Sequence, residues 1–383
     1  MLRILLAGGG TAGHVNPALA IAEIIKEKHP DTQFCFAGTP DGLEASIIPK
    51  EGYEFKPIKI KGFQRKISLE NIKRNLKAMS YLAMSGHRSK QIIKEFNPDI
   101  VIGTGGYVSG PIVRCAAKMG IKTAIHEANA FPGVTTKILS KYVDKVMLTV
   151  KETAKYLDDN VKYTVTGLPV RKGFGGISKR EAREKLGIPQ NEICILSTGG
   201  SLGARVINEA VAKLFKWYQE NDIKINHIHS YGKYQGYKDY PDSLKADGID
   251  LNNRRIRLSE YVDMPVCMAA ADLVISRCGA NSLTELEAIG RGSILVPSPN
   301  VAENHQYYNG MVLDKAGAGI CIEQKDFSAE WLIDRINDLY SNKEKLEVLS
   351  ENAKKLYISD TPERVYGVLS PLIAGVIINS ASN

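Results

Sequence analysis

The stretch RILLAGGGTAGHVNPALAIAEIIKE, residues 3–27, carries three structural signals in a row. Ile4, Leu5, Leu6 and Ala7 form a short apolar run, the pattern of a strand covered on both faces. GGTAGH at 9–14 breaks that run with glycines, and residues 17–27 then repeat apolar side chains at helical spacing. The same order returns in the second half of the chain, as ICILSTG at 193–199, GSLGAR at 200–205 and a helix over 206–216. A second pair matches too. Residues 99–104, GGYVSG and a helix to Met119 parallel residues 272–276, RCGANS and a helix to Ile289. Each of these helices leads into another apolar run, IKTAIHE at 121–127 and SILVPSP at 293–299.

A strand–turn–helix pattern written twice predicts an α/β protein of two tandem Rossmann-like domains with parallel sheets facing a central cleft. A length of 383 residues suits two domains. TGLPVRKGFGG at 166–176 breaks regular structure between them. We therefore expect a first domain over 1–166 and a second over 167–361, with one helical segment at 328–356. A last segment, 362–383, is expected to cross back to the first domain.

Hydrophobic residues make up 44% and charged residues 24%, ordinary values for a globular protein. The six cysteines form no CxxC pair, which argues against a zinc site or disulfide framework and suits a reducing compartment. No secretory signal precedes the first strand, so a cytoplasmic setting is expected. The apolar run at 365–378 is too short to span a bilayer and contains Gly367, Pro371 and Gly375. Charge is unevenly placed. Residues 1–166 hold 24 Lys and Arg against 15 Asp and Glu, and residues 56–94 hold 11 basic side chains against Glu70 alone. An anionic membrane, an anionic substrate or nucleic acid would each suit such a region. No RNP, KH or helix-turn-helix pattern accompanies it, so we expect no nucleic-acid partner. Leu69, Ile72, Leu76, Met79 and Ala83 share one helical face flanked by Lys66, Lys73 and Lys77, with Arg74 further round. That face either packs on the first-domain core or rests on an anionic membrane surface.

Ligands of doubly wound sheets bind beyond the carboxyl ends of the strands, where helix N-termini offer unpaired N–H groups to phosphate. The glycine loops at 8–13, 103–110, 199–203 and 279–282 all occupy that position, which points to a diphosphate-bearing ligand. Gly8, Gly10 and Gly13 have dinucleotide spacing, but the second strand lacks the confirming acid at its end. No Walker A motif occurs, nor an Asp-x-Asp element after a strand. His14 follows the first loop directly, where a histidine could act as general base toward an acceptor hydroxyl; the alternative is a histidine capping the helix. Arg171 suits a phosphate, or is a solvated surface residue. Glu285 suits ribose hydroxyls, or complements a helix dipole. Asn129, Gln306 and Asn309 are amides suited to sugar hydroxyls.

Taken together, GGGTAGHVNPALAIA, GTGGYVSGP, HEANAFPG, GLPVR, GGSLGAR, SRCGANSLTE and NHQYYN resemble, in order and over nearly the whole chain, the MurG family of GT-B glycosyltransferases. That resemblance implies inverting transfer of N-acetylglucosamine from UDP-GlcNAc to the C4 hydroxyl of the N-acetylmuramyl unit of lipid I. The product would be lipid II of peptidoglycan synthesis, made by a peripheral protein on the cytoplasmic face of the cell membrane with no cofactor and no bound metal. It assigns the UDP diphosphate to Ser201 and Arg171, the uracil to backbone groups at Val262 and the ribose to Glu285. Ala280, Asn281, Ser282, Leu283 and Thr284 would line the nucleotide, and Gln306 and Asn129 the sugar. Thr11, Ala12, Gly13 and His14, with Gly105, Gly106 and Tyr107, would face the acceptor, His14 as catalytic base. The chain departs from the commonest family pattern at Ala12, Ala128, Leu168, Leu202, Asn281 and His305. The competing enzyme readings are a diacylglycerol glucosyltransferase and a UDP-GlcNAc 2-epimerase.

Overall fold

The computed structural model describes residues 1–60, 69–170 and 173–381. It divides into two compact units, Met1–Pro169 with Asp360–Asn383, and Val170–Ser359. The first unit is a parallel sheet of β1 (Arg3–Gly8), β2 (Gln33–Gly38), β3 (Glu54–Pro57), β4 (Ile100–Gly105), β5 (Lys122–Glu127), β6 (Lys145–Leu148) and β7 (Thr164–Val165). Its order is β3-β2-β1-β4-β5-β6-β7. The second unit has β8 (Ile193–Thr198), β9 (Ile225–Ser230), β10 (Ile256–Ser259), β11 (Leu273–Ser276), β12 (Gly292–Leu295) and β13 (Gly319–Cys321), in the order β10-β9-β8-β11-β12-β13. Each unit is thus a doubly wound sheet whose order reverses beside its first strand, at β1 and β4 or at β8 and β11.

Side chains alternate between the two covered faces of each strand. Ile4 and Leu6 pack with Ile21 and Ile25 of the helix Ala12–Lys28, whereas Leu5 and Ala7 pack with Ile92, Ile112 and Val113. The last helix, Thr361–Ala381, places Val365, Leu369, Leu372 and Ile373 in the first of these clusters. In the second unit Ile193 and Ile195 meet Val211 and Leu214 of the helix Arg205–Glu220, while Cys194 and Leu196 meet Val266 and Ala270.

A polar chain sits inside the second core. Ser197 Oγ lies 2.7 Å from both His227 Nε2 and His229 Nδ1, and Tyr218 Oη lies 3.1 Å from His227 Nδ1. All four residues are buried, and His229 Nε2 is buried with no hydrogen-bond partner among the described residues. Burial pushes both imidazoles down, His229 to about 3 and His227 well below its ordinary value.

Two local expectations are revised. The first helix begins at Ala12, ahead of Pro17, because the proline's fixed φ is helical and it forfeits only one backbone hydrogen bond. The segment at 328–356 is two helices, Ala329–Ser341 and Lys343–Leu356, broken at Asn342, whose ψ of 89° leaves the helical region. The basic helix runs over Leu69–Phe96. Lys66 and Arg171, and the side chains of Leu69, Ile72, Lys73, Arg74, Leu76, Lys77, Met79 and Ala83, lie outside the described residues.

Candidate active site

In the first unit the loop after β1 meets the end of β4. The helix Ala12–Lys28 is entered through Thr11, whose side chain does not cap it. His14 instead turns back, with Nδ1 3.0 Å from the Gly9 carbonyl and 3.3 Å from Thr11 Oγ1. A carbonyl only accepts, so Nδ1 carries the proton, and in the neutral ring the lone pair then falls on Nε2, the form a general base needs. Thr104 Oγ1 donates to the His14 carbonyl at 2.7 Å and ties the helix start to β4. The ring lies against Gly105, where a Cβ would stand 2.6 Å from His14 Cδ2; Gly106 passes so close to the Gly9 carbonyl that no side chain fits. Their φ values of +108° and +78° favour glycine independently. Tyr107 is exposed beside them.

Asn129 follows β5. The buried Glu127 carboxylate accepts from Asn129 N at 3.0 Å, Asn129 Nδ2 at 3.1 Å, Gly133 N at 3.1 Å and Thr136 Oγ1 at 2.5 Å, fixing the whole turn.

In the second unit Ser201, Val262, Ala280 and Gln306 follow β8, β10, β11 and β12, so all lie beyond the carboxyl ends of one sheet. Ser201 is exposed in the loop before the helix Arg205–Glu220, and its carbonyl accepts from Lys233 N at 3.0 Å. That helix and the helix Ala280–Ile289 have neither a side-chain cap nor an acid in the first turn. Both therefore present uncompensated positive dipole ends. Gln306 Oε1 lies 2.9 Å from Ser298 N and 3.3 Å from Cys278 N. Two N–H donors fix that atom as the oxygen, which leaves the Gln306 NH2 as a donor. Asn309 Nδ2 donates to the Cys278 carbonyl at 3.1 Å. Glu285 is only 2% exposed, held within the fold by partners of its own, unlike a solvated helix-start acid. Among the described residues no group of three or more His, Cys, Asp or Glu side chains forms a metal-binding cluster.

The sequence profile of the glycosyltransferase family 28 N-terminal domain matches residues 4–148, and that of its C-terminal domain matches residues 194–365. A UDP-N-acetylglucosamine–N-acetylmuramyl-(pentapeptide) pyrophosphoryl-undecaprenol N-acetylglucosamine transferase of Acetivibrio thermocellus is 42% identical over 97% of this chain and 98% of its own length. The chain belongs to the MurG family. A transferase of the same name from Desulforamulus reducens is 42% identical over 93% of this chain and 94% of its own. The crystal structure of Acinetobacter baumannii MurG superposes with a TM-score of 0.74 at 26% identity, covering 97% of this chain and 100% of that one. The two-unit architecture is that of a GT-B member of the MurG family.

Within this MurG-family fold, the structure brings His14 and Thr11 together with Gly105 and Gly106, and Gln306 together with the turn that opens at Cys278. Ala12, Gly13, Asn281, Ser282 and Leu283 stand in the first turns of their helices, and Thr284 follows directly. Two acids escaped the sequence reading, Glu127 and Glu44. Each acts on backbone N–H groups of a glycine-containing turn, a signal that HEANAFPG carried for Glu127 and that nothing local carried for Glu44.

Proposed function

We propose that this chain transfers N-acetylglucosamine from UDP-GlcNAc to the C4 hydroxyl of the N-acetylmuramyl unit of lipid I, giving lipid II. The observation that carries this is the full-length likeness to transferases of that name, on a chain that keeps a histidine with an available Nε2 beside an open glycine turn. As the acceptor oxygen attacks the anomeric carbon, its proton passes to His14 Nε2. The bond from that carbon to the UDP oxygen breaks, so an α-linked donor gives a β-linked product. The charge growing on UDP is met by Ser201, Arg171 and the positive helix ends behind Gly203 and Gly279. Val262 reads uracil, Ala280, Asn281, Ser282, Leu283 and Thr284 line the nucleotide, and Glu285 holds the ribose. Gln306 donates its NH2 to the sugar, and Asn129 contacts it. Thr11, Ala12, Gly13, Gly105, Gly106 and Tyr107 face the acceptor. The test is UDP release from UDP-GlcNAc with and without added lipid I; release independent of the lipid would overturn the transfer reading, and conversion to an epimeric UDP-sugar without release would favour the epimerase.

Glu285→Gln keeps the volume of a buried side chain and removes its charge. It should weaken UDP binding about tenfold, the roughly 1–1.5 kcal/mol that separates a charge-assisted from a neutral hydrogen bond. Calorimetry returning wild-type UDP affinity from a normally folded variant would leave Glu285 a packing residue.

Among the described residues no helix is long and apolar enough to cross a membrane. We place the protein peripherally on the cytoplasmic membrane face, held through the first unit. Supporting this are the basic segment at 56–94 and the exposed apolar side chains of Met84, Tyr107, Val134 and Ile138. A groove of about 540 Å³ lined by Pro40, Pro57, Tyr81 and Met84 adds apolar surface beside the long helix. Changing Lys66, Lys73, Arg74 and Lys77 together to glutamine should weaken binding to vesicles rich in anionic lipid, at about 1 kcal/mol per charge, and flatten its salt dependence. Equal co-sedimentation of variant and wild type would place the contact elsewhere.

A further inference from the structure

Glu44 is 1% exposed, yet it heads a short surface helix, Glu44–Lys50, and faces inward to the glycine turn after β1. Its Oε2 accepts from Gly10 N at 3.0 Å, and its Oε1 from Thr39 N at 2.8 Å and Thr39 Oγ1 at 2.7 Å. Burial alone would raise its pKa, but hydrogen bonds from its own backbone N–H, from Thr39 and from Gly10 outweigh burial and hold the carboxyl below its ordinary range. The fit is tight. A Cβ on Gly9 or on Gly42 would collide with the carboxylate. The Gly9–Gly10 peptide is therefore gripped by Glu44 through the Gly10 N–H, while the Gly9 carbonyl on its other edge accepts from His14 Nδ1.

We propose that Glu44 is a positioning residue for the transfer reaction: by fixing the Gly9–Gly10 peptide it fixes the carbonyl that orients His14, and so aims Nε2 at the acceptor hydroxyl. This rests on the reading of His14 as the base. A peptide free to rotate would turn the Gly9 carbonyl away, and the imidazole would then reach the acceptor in several rotamers and either tautomer. Misplacement of a catalytic group by about 1 Å costs on the order of 10²-fold in rate. The carboxylate is specifically required, because both its oxygens face donors. An amide at position 44 would set its NH2 against either the Gly10 N–H or the Thr39 donors.

The experiment is a double-mutant cycle with the full chain, using UDP-GlcNAc and lipid I. Glu44→Gln should lower kcat roughly 10- to 100-fold, with the KM for UDP-GlcNAc within about twofold of wild type. Losing the Gly9 carbonyl destabilises the imidazolium more than the neutral ring, so the acid limb of the pH–rate profile should move to lower pH. In a His14→Ala background the same substitution should change kcat by less than about twofold, because its route to the chemistry is gone. Losses that multiply in the double variant, or an active Glu44→Gln enzyme beside a crippled His14→Ala one, would overturn the positioning role alone. A fully active His14→Ala enzyme would overturn the base reading and the positioning role with it. If Glu44→Gln does not fold, Thr39→Val removes one of the three donors while keeping side-chain volume. It should give a smaller kcat loss with a pH shift in the same direction, and an unmoved profile would count against the proposal.

Discussion

Replacing His14 by alanine should lower kcat by roughly 10²–10⁴, the usual worth of a positioned general base, while UDP affinity stays at its wild-type value. The separation follows from where the residue stands. His14 belongs to the first unit, whereas Ser201, Val262, Glu285 and Gln306 belong to the second. Its contacts are with Gly9, Thr11 and Gly105, so its loss removes no group assigned to the nucleotide. Steady-state kinetics in both substrates, together with calorimetry of UDP, measure the two effects apart. A loss confined to the KM for lipid I would make His14 an acceptor-binding residue and leave the proton without a carrier.

Below about pH 6 added acid should destabilise the second unit through two buried imidazoles. In the folded unit His229 protonates only at about 3, and His227 is also held well below its ordinary value, both through burial. In the unfolded chain each protonates near 6.5. Between those values the unfolded state binds more protons at each imidazole, so their contribution is complete above about pH 6.5 and falls as the pH drops towards 3. The buried Glu287 carboxyl, raised to about 8, acts in the opposite sense and offsets about one imidazole between roughly pH 4.5 and 8. The slope is about 1.4 kcal/mol per pH unit for each histidine. Both tryptophans, Trp217 and Trp331, lie in this unit, so their fluorescence follows its unfolding specifically. Urea titrations at pH 6, 5.5 and 5 should show a falling midpoint. The His227→Gln, His229→Gln double variant should lose that fall over the same range, leaving the opposite contribution of Glu287. If the two slopes coincide, the buried imidazoles are not the groups responsible.

Much of this was legible before the fold was known. Parallel strands covered on both faces must be apolar throughout, so RILLAG and ICILST stood out from their surroundings, and glycine turns marked where each gave way to a helix. The duplicated order of strand, turn and helix then specified two sheets of the same winding. Proline misled at position 17, where it suggested a helix start five residues too late. Glu44 was out of reach for a different reason. Its meaning lies in a hydrogen bond to Gly10, 34 residues away, and no local periodicity encodes that meeting. The buried imidazoles were half visible. His227 and His229 alternate along INHIHS and so share a face, but that the face is the covered one follows only from the packing of the helix Arg205–Glu220.

The placement of the helix Thr361–Ala381 bears on how the protein is made. Its Val365, Leu369, Leu372 and Ile373 complete a cluster that also contains Val15, Ile21 and Ile25, yet the whole second unit, Val170–Ser359, is translated between the two. At roughly 5–20 residues per second the ribosome needs on the order of 10–40 s to cross that interval. Throughout it the nascent first unit shows solvent an apolar stripe with no partner, while the second unit, continuous in the chain, can close as soon as it emerges. The earlier-made half is therefore the later to mature, and it is the half that would need a chaperone's cover while it waits.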